Sequence, residues 1–246
     1  MPHISLAAER LGSFLGFPIN NALVTTWCVM AILIIGSFCA TRNMKEVPNA
    51  FQSIAEMVVG GLYDFFSTIS GKHIQKVFPL LASLFLFIIA ANWVGLLPGV
   101  GTVGFFRPEE TEKFVPLFRG ATTDINTTLA LAIVAVVAIQ YYGFRTVGKH
   151  YSSRFINITN PINFFVGILE IASEVSKIVS FAFRLFGNIF AGEVLLAVIA
   201  FLMPFIVPLP FLMMELFVGF IQALVFSMLT AVFLSVALMH GSENHA

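Results

Sequence analysis

The sequence predicts an all-α, polytopic membrane protein. Apolar residues make up 58% of the 246-residue chain and charged residues only 11%, against roughly 25% charged in an average soluble domain. Mean hydropathy is +0.93. The apolar residues gather into stretches long enough to cross a bilayer, which takes ~20 residues in a helix. In hydrocarbon every backbone N–H and C=O needs an internal partner, and a helix supplies one. The formal net charge is zero, so no nucleic acid or other strongly charged partner is implied. Cys28 and Cys39 share one apolar segment and read as small packing residues rather than a disulfide framework.

The elements follow in chain order within one membrane domain, residues 1–246. Met1–Gly16 lacks a basic start followed by an apolar run, so no signal peptide is expected there. Residues 22–40 carry no charge and end at Thr41-Arg42-Asn43-Met44-Lys45, which predicts a first span. Residues 48–70 are patterned differently. Gln52, Ser53, Glu56, Gly60, Asp64 and Ser67 recur at helical spacing, with Ile54, Val58, Leu62, Phe65 and Ile69 on the other side. That stripe predicts an amphipathic helix lying on the membrane or packed against neighbours; a short span is the alternative. Residues 77–97 form the next span, with Pro79 expected in its first turn, where proline is tolerated. Residues 98–123, with glycines, prolines and Glu109-Glu110-Thr111-Glu112, predict an external loop. Thr122, Thr123 or Asp124 is placed to cap a span over 124–144, which carries Asn126 and Gln140.

The last hundred residues are unusual. At ~1.5 Å per residue, a helix over 161–203 is about 60 Å long, twice the ~30 Å hydrocarbon core. It either breaks or tilts steeply and projects beyond the bilayer. Pro204, Pro208 and Pro210 make a turn, and residues 211–239 form another overlong helix. The pair predicts a tilted hairpin. Arg42, Lys45, Lys72, Lys76, Arg145, Lys149 and Arg154 fall on one side of the membrane; Arg10, Arg107, Lys113 and Arg119 fall on the other, offset by acids. The richer side is cytoplasmic. This puts the N-terminus outside and the C-terminus inside, with five spans if 48–70 does not cross.

One residue carries most of the functional information. Arg184 lies within Val179–Met203, a stretch otherwise almost entirely apolar. Arginine keeps its proton in proteins, and at bilayer depth it costs at least ~2.5–3.5 kcal/mol on insertion scales. Such a charge marks a partner, a water-filled cavity or an ion path. Apolar residues flank it for several turns on the C-terminal side, which argues against snorkelling to a helix end. Glu170, Lys177 and Arg184 are seven apart and share a helix face, joined by Ser173, Glu174 and Asn188. Glu174 and Lys177 either line a path from the cytoplasmic end or pair with each other. Glu193, nine residues beyond Arg184, falls on roughly the opposite face and is no direct partner for it. On the last helix Glu215 and Gln222 are again seven apart on one face. Carboxyl groups take up and release protons. Two acids reached from outside and an acid stripe reached from inside therefore predict two proton paths, divided by a fixed positive charge. Gly187, Ala191 and Gly192 beside Arg184 would let another helix approach closely in lipid, so the arginine's partner is expected on another polypeptide.

Arg184-Leu185-Phe186-Gly187-Asn188 with Ala191-Gly192-Glu193 strongly resembles the a subunit of the F-type ATP synthases, and the resemblance covers nearly the whole chain. Asn92 with Leu96-Leu97-Pro98, Asp124-Ile125-Asn126, Leu169-Glu170 and Gln222 also fit it. The resemblance implies a stator beside a ring of c subunits, each carrying one membrane carboxylate that meets the essential arginine, here Arg184. It implies an outer half-channel at Asn188, Glu193, Glu215 and Gln222, and leaves Glu170, Glu174 and Lys177 as the inner candidates. Many relatives pair one acid with one histidine where this chain has Glu193 and Glu215, both acids. The implied setting is a bacterial inner membrane rather than a mitochondrial one, with b-type peripheral stalk subunits and the rest of the synthase as partners. No cofactor or metal is implied, and the absence of a Walker motif assigns nucleotide chemistry to other subunits. A stand-alone proton-coupled secondary transporter is the rival reading, but paired inverted repeats are not evident. An intramembrane hydrolase is disfavoured because His-Glu-x-x-His is absent and His3, His73, His150, His240 and His245 fall outside the expected spans.

Overall fold

The computed structural model describes residues 9–14, 17–42, 44–71, 74–97, 99–107, 113–148, 151, 161–203 and 206–239. The five histidines, both chain ends and the acidic cluster at 109–112 lie outside them. The architecture is all-α with two small additions. Helices α1 (Asn21–Arg42), α2 (Ala50–Ser70), α3 (Ile74–Gly95), α4 (Ile125–Val147), α5 (Pro161–Leu202) and α6 (Pro208–Met239) follow one another along the chain. A hairpin of β1 (Arg10–Phe14) and β2 (Phe17–Asn20) precedes α1, and a second, β3 (Gly104–Arg107) with β4 (Lys113–Pro116), lies between α3 and α4. Both hairpins close segments expected to be irregular. Phe105 pairs with Val115 in the second, a pairing too short for alternation to announce it.

Among the described helices, α1, α3, α4, α5 and α6 are long and apolar enough to cross a membrane; α2 is not. Helix α5 runs unbroken for 42 residues, so its excess over the bilayer becomes tilt or projection. Pro161 opens it at a position where the missing N–H costs nothing. Pro79 is a correction: α3 begins at Ile74, which places the proline in the second turn, where it removes one backbone donor. At the start of α4, Asp124 rather than either threonine is the cap, its side chain accepting from Asn126 N–H at 3.1 Å. Gly148 ends the same helix at φ 70°, its N–H bonded to the Phe144 carbonyl, a left-handed stop that glycine makes at low cost.

The core explains where the helices can and cannot part. At mid-depth Phe85 and Ile88 of α3, Ala132 and Ala135 of α4, Phe181 and Leu185 of α5, and Ala223 and Phe226 of α6 form one buried cluster. Toward the end of the bundle that holds the start of α3 and the end of α6, a second cluster joins Phe66 of α2, Leu81 of α3, Ile139 of α4 and Leu234 of α6, with no residue of α5. Helix α5 therefore leaves the bundle toward its N-terminal end, and Ile162, Phe165, Leu169 and Ile171 are exposed there. Helix α1 is held at its outer end by Asn21, Ala22, Thr25 and Val29.

Candidate functional site

Helices α5 and α6 carry every one of the predicted candidates. Arg184 points away from the bundle, one turn from buried Phe181 and beside buried Leu185. Ser180, Gly187, Asn188 and Ala191 share its exposed strip. Its guanidinium meets Ser180 Oγ at 3.3 Å, and among the described residues no carboxylate reaches it. The backbone behind it is fixed: buried Gln222 Nε2 on α6 donates to the Arg184 carbonyl at 2.8 Å. The side chain is thus displayed midway along a long apolar helix, on a segment pinned from the rear. A Cβ on Gly187 would meet nothing within 4 Å, which leaves room on this strip for close approach of a helix.

About two and a half turns toward the C-terminal end of α5 the two acids come together. Glu215 is 3% exposed. Its carboxylate lies directly on the α carbon of Gly192, where any side chain would collide with it. The next residue of α5 is Glu193, close enough for its charge to act on Glu215. Gly192 therefore opens space for an acid of the same chain, not for a foreign helix as the small-residue run suggested. Among the described residues no donor reaches Glu215 Oε1. A buried carboxyl oxygen without a donor is costly to keep, and that cost calls for a reason.

Arg119 is the residue that sequence reasoning missed. It was expected on an external loop, yet its side chain is only 10% exposed and its Nε lies 3.8 Å from Glu193 Oε1. The loop folds down against the helices because its polar groups find partners there. Arg119 N–H donates to Thr25 Oγ1 at 3.2 Å, and Thr122 Oγ1 donates to Asn92 Oδ1 at 2.7 Å. Leu117-Phe118 before the arginine and Gly120-Ala121 after it were the available sign, an apolar setting for a loop charge.

On the N-terminal side of Arg184 along α5 the stripe is partly self-satisfied. Lys177 Nζ pairs with Glu174 Oε1 at 2.7 Å and lies 4.8 Å from the centre of the Phe233 ring on α6, a favourable seat for an ammonium. The pairing alternative is thus realised. Glu170 is half-buried one turn further in.

The fold and site define a class: a multi-pass helical membrane protein whose last hairpin carries acids on one side of a displayed arginine and an ion pair on the other. The family described as ATP synthase A chain matches residues 23–235, and this chain belongs to that family. It is 34% identical over 224 residues to ATP synthase subunit a of Geotalea daltonii, covering 90% of this chain and 89% of that one. It is 36% identical over 218 residues to ATP synthase subunit a 3 of Pelobacter propionicus, covering 87% and 86% of the two chains. It is likewise 36% identical to ATP synthase subunit a of Trichlorobacter lovleyi over 217 residues, 87% of this chain and 85% of that one.

Proposed function

We propose that the chain is the proton-conducting stator subunit of a rotary ATP synthase in a bacterial inner membrane. Arg184 faces a ring of c subunits. Protons enter from outside past Glu215, Glu193, Asn188 and Gln222 and neutralise a ring carboxylate. After nearly a full turn they leave inward along Glu170, Glu174 and Lys177. Each proton moved down ~100 mV delivers about 2.3 kcal/mol, and the chain converts this into rotation rather than chemistry. Nucleotide turnover belongs to other subunits, and b-type stalk subunits hold the stator still. The N-terminus is outside and the C-terminus in the cytoplasm.

One observation carries this reading: Arg184 is exposed at membrane depth, backed by Gln222, with no described carboxylate of its own. A guanidinium in that position calls for an anionic partner on another chain. It also forbids a proton from passing between the two acid groups without a carrier. Arg184→Ala in the complete complex tests it. The expected result is normal assembly, no ATP-driven acidification of inverted membrane vesicles, and a passive proton leak. Arg184→Lys also fails, because a compact ammonium lacks the planar fork. Coupled pumping by the alanine variant at the parent rate overturns the reading.

A further inference from the structure

The turn of α6 that carries Glu215 is fastened to α3 by side chains that have no place in the path itself. Buried Asn92 Nδ2 donates to the Gly219 carbonyl at 2.9 Å, and Trp93 Nε1 donates to the Leu216 carbonyl at 3.1 Å. Both acceptors belong to the turn that begins at Glu215. The fit is steric as well: a Cβ on Gly219 would stand 3.2 Å from Asn92 Cβ and 3.7 Å from Trp93 Cδ1. Asn92 is itself oriented. Its Oδ1 accepts from Thr122 Oγ1 at 2.7 Å, and Thr122 is fully buried. Thr122 belongs to the folded-down outer segment that also carries Arg119. One chain of hydrogen bonds thus runs from that segment through α3 to the backbone beside Glu215.

We propose that Asn92, Trp93 and Thr122 are positioning residues for Glu215, fixing the rotation and height of α6 so that its carboxylate stays on Gly192 beside Glu193. The proposal rests on the proton-path reading above and adds to it. Successive residues of a helix differ by about 100° in direction, so a small rotation of α6 would swing Glu215 off the glycine. Lipid offers no apolar driving force to hold helices in register, and interhelical hydrogen bonds take over that task. Asn92 suits it because its amide offers a donor and an acceptor on one stiff group, and both are used. The ionisable groups around the site are Glu193 on α5, Arg119 against it, and Asp124 at the outer end of α4; α3 contributes the uncharged Asn92 and Trp93.

The test compares Thr122→Val, which keeps the shape and loses the hydroxyl, with Thr122→Ser, which keeps the hydroxyl. Assembled complex and ATP-driven proton flux per complex are measured in inverted membrane vesicles across a pH series, with Trp93→Phe and Glu215→Gln alongside. The expected result is about a tenfold fall in flux per complex for Thr122→Val, the scale that sub-ångström to ångström misplacement produces. Its pH profile shifts, serine recovers the flux, and Trp93→Phe falls in the same direction. Parent-like flux per complex and an unmoved profile in both Thr122→Val and Trp93→Phe overturn the proposal, however much complex assembles. If Glu215→Gln pumps normally, the relay itself is wrong; if it is dead while Thr122→Val is unaffected, only the positioning role falls.

Discussion

Glu215 reaches across from α6 and ends on a glycine of α5, so its role and the role of Gly192 are inseparable. A packing residue there would be replaced almost silently by glutamine, which is nearly isosteric. A relay must gain and lose a proton each cycle, and glutamine does neither. Glu215→Gln is expected to lose most proton flux with assembly intact, read as acidification of inverted vesicles. Glu215→His keeps part of the flux with a shifted pH optimum, because imidazole also gains and loses a proton near neutral pH. Parent-like flux for the glutamine variant at every pH would reduce Glu215 to packing. Gly192→Ala puts a methyl group where the carboxylate lies and is expected to stop flux similarly. Shortening the acid in a Gly192→Ala, Glu215→Asp double variant recovers some of it. Glu174→Ala is expected to be milder than Arg184→Ala, since Glu174 lies nearer the end of α5 and its described partner is Lys177 alone. Complete loss of pumping there, with normal assembly, would show that the pair is indispensable.

The helices set how far such residue-level changes travel. Helix α5 shares the mid-depth core with α3, α4 and α6 but takes no part in the inner cluster. Its strip through Ser180, Arg184 and Gly187 is open, while Leu185 is buried. A cysteine at Gly187 is therefore expected to cross-link to a cysteine on a ring subunit, and one at Leu185 is not; equal yields would mean that another face meets the ring. The seven-residue spacing of Glu170, Lys177 and Arg184 predicts a shared face because helical geometry is periodic; in the fold Lys177 turns to the Phe233 ring of α6 while Arg184 stays exposed. The position of Arg119 was not legible, since it depends on tertiary bonds to Thr25 and Glu193 far away in sequence. Local pattern likewise left the cap of α4 among three candidates, and backbone geometry chose Asp124.

For the whole molecule, the outer segment is as much a part of the site as the spans. Arg119 sets a fixed positive charge against Glu193, and removing it leaves that acid without its described ionic partner. Arg119→Gln is expected to lower flux and shift its pH dependence while the complex still assembles; an unchanged pH profile would make the arginine a structural strut. The exposed Arg184 has a further consequence before any ring is present. A charge displayed to hydrocarbon makes the solitary chain the unfavourable state, and docking against a carboxylate relieves it. The same residue that we propose separates two proton routes would thus label an unassembled copy as incomplete. Produced without its ring, the parent chain is expected to be degraded faster than Arg184→Leu, and pulse-chase turnover of the two measures how far a functional charge also serves as a mark of orphanhood.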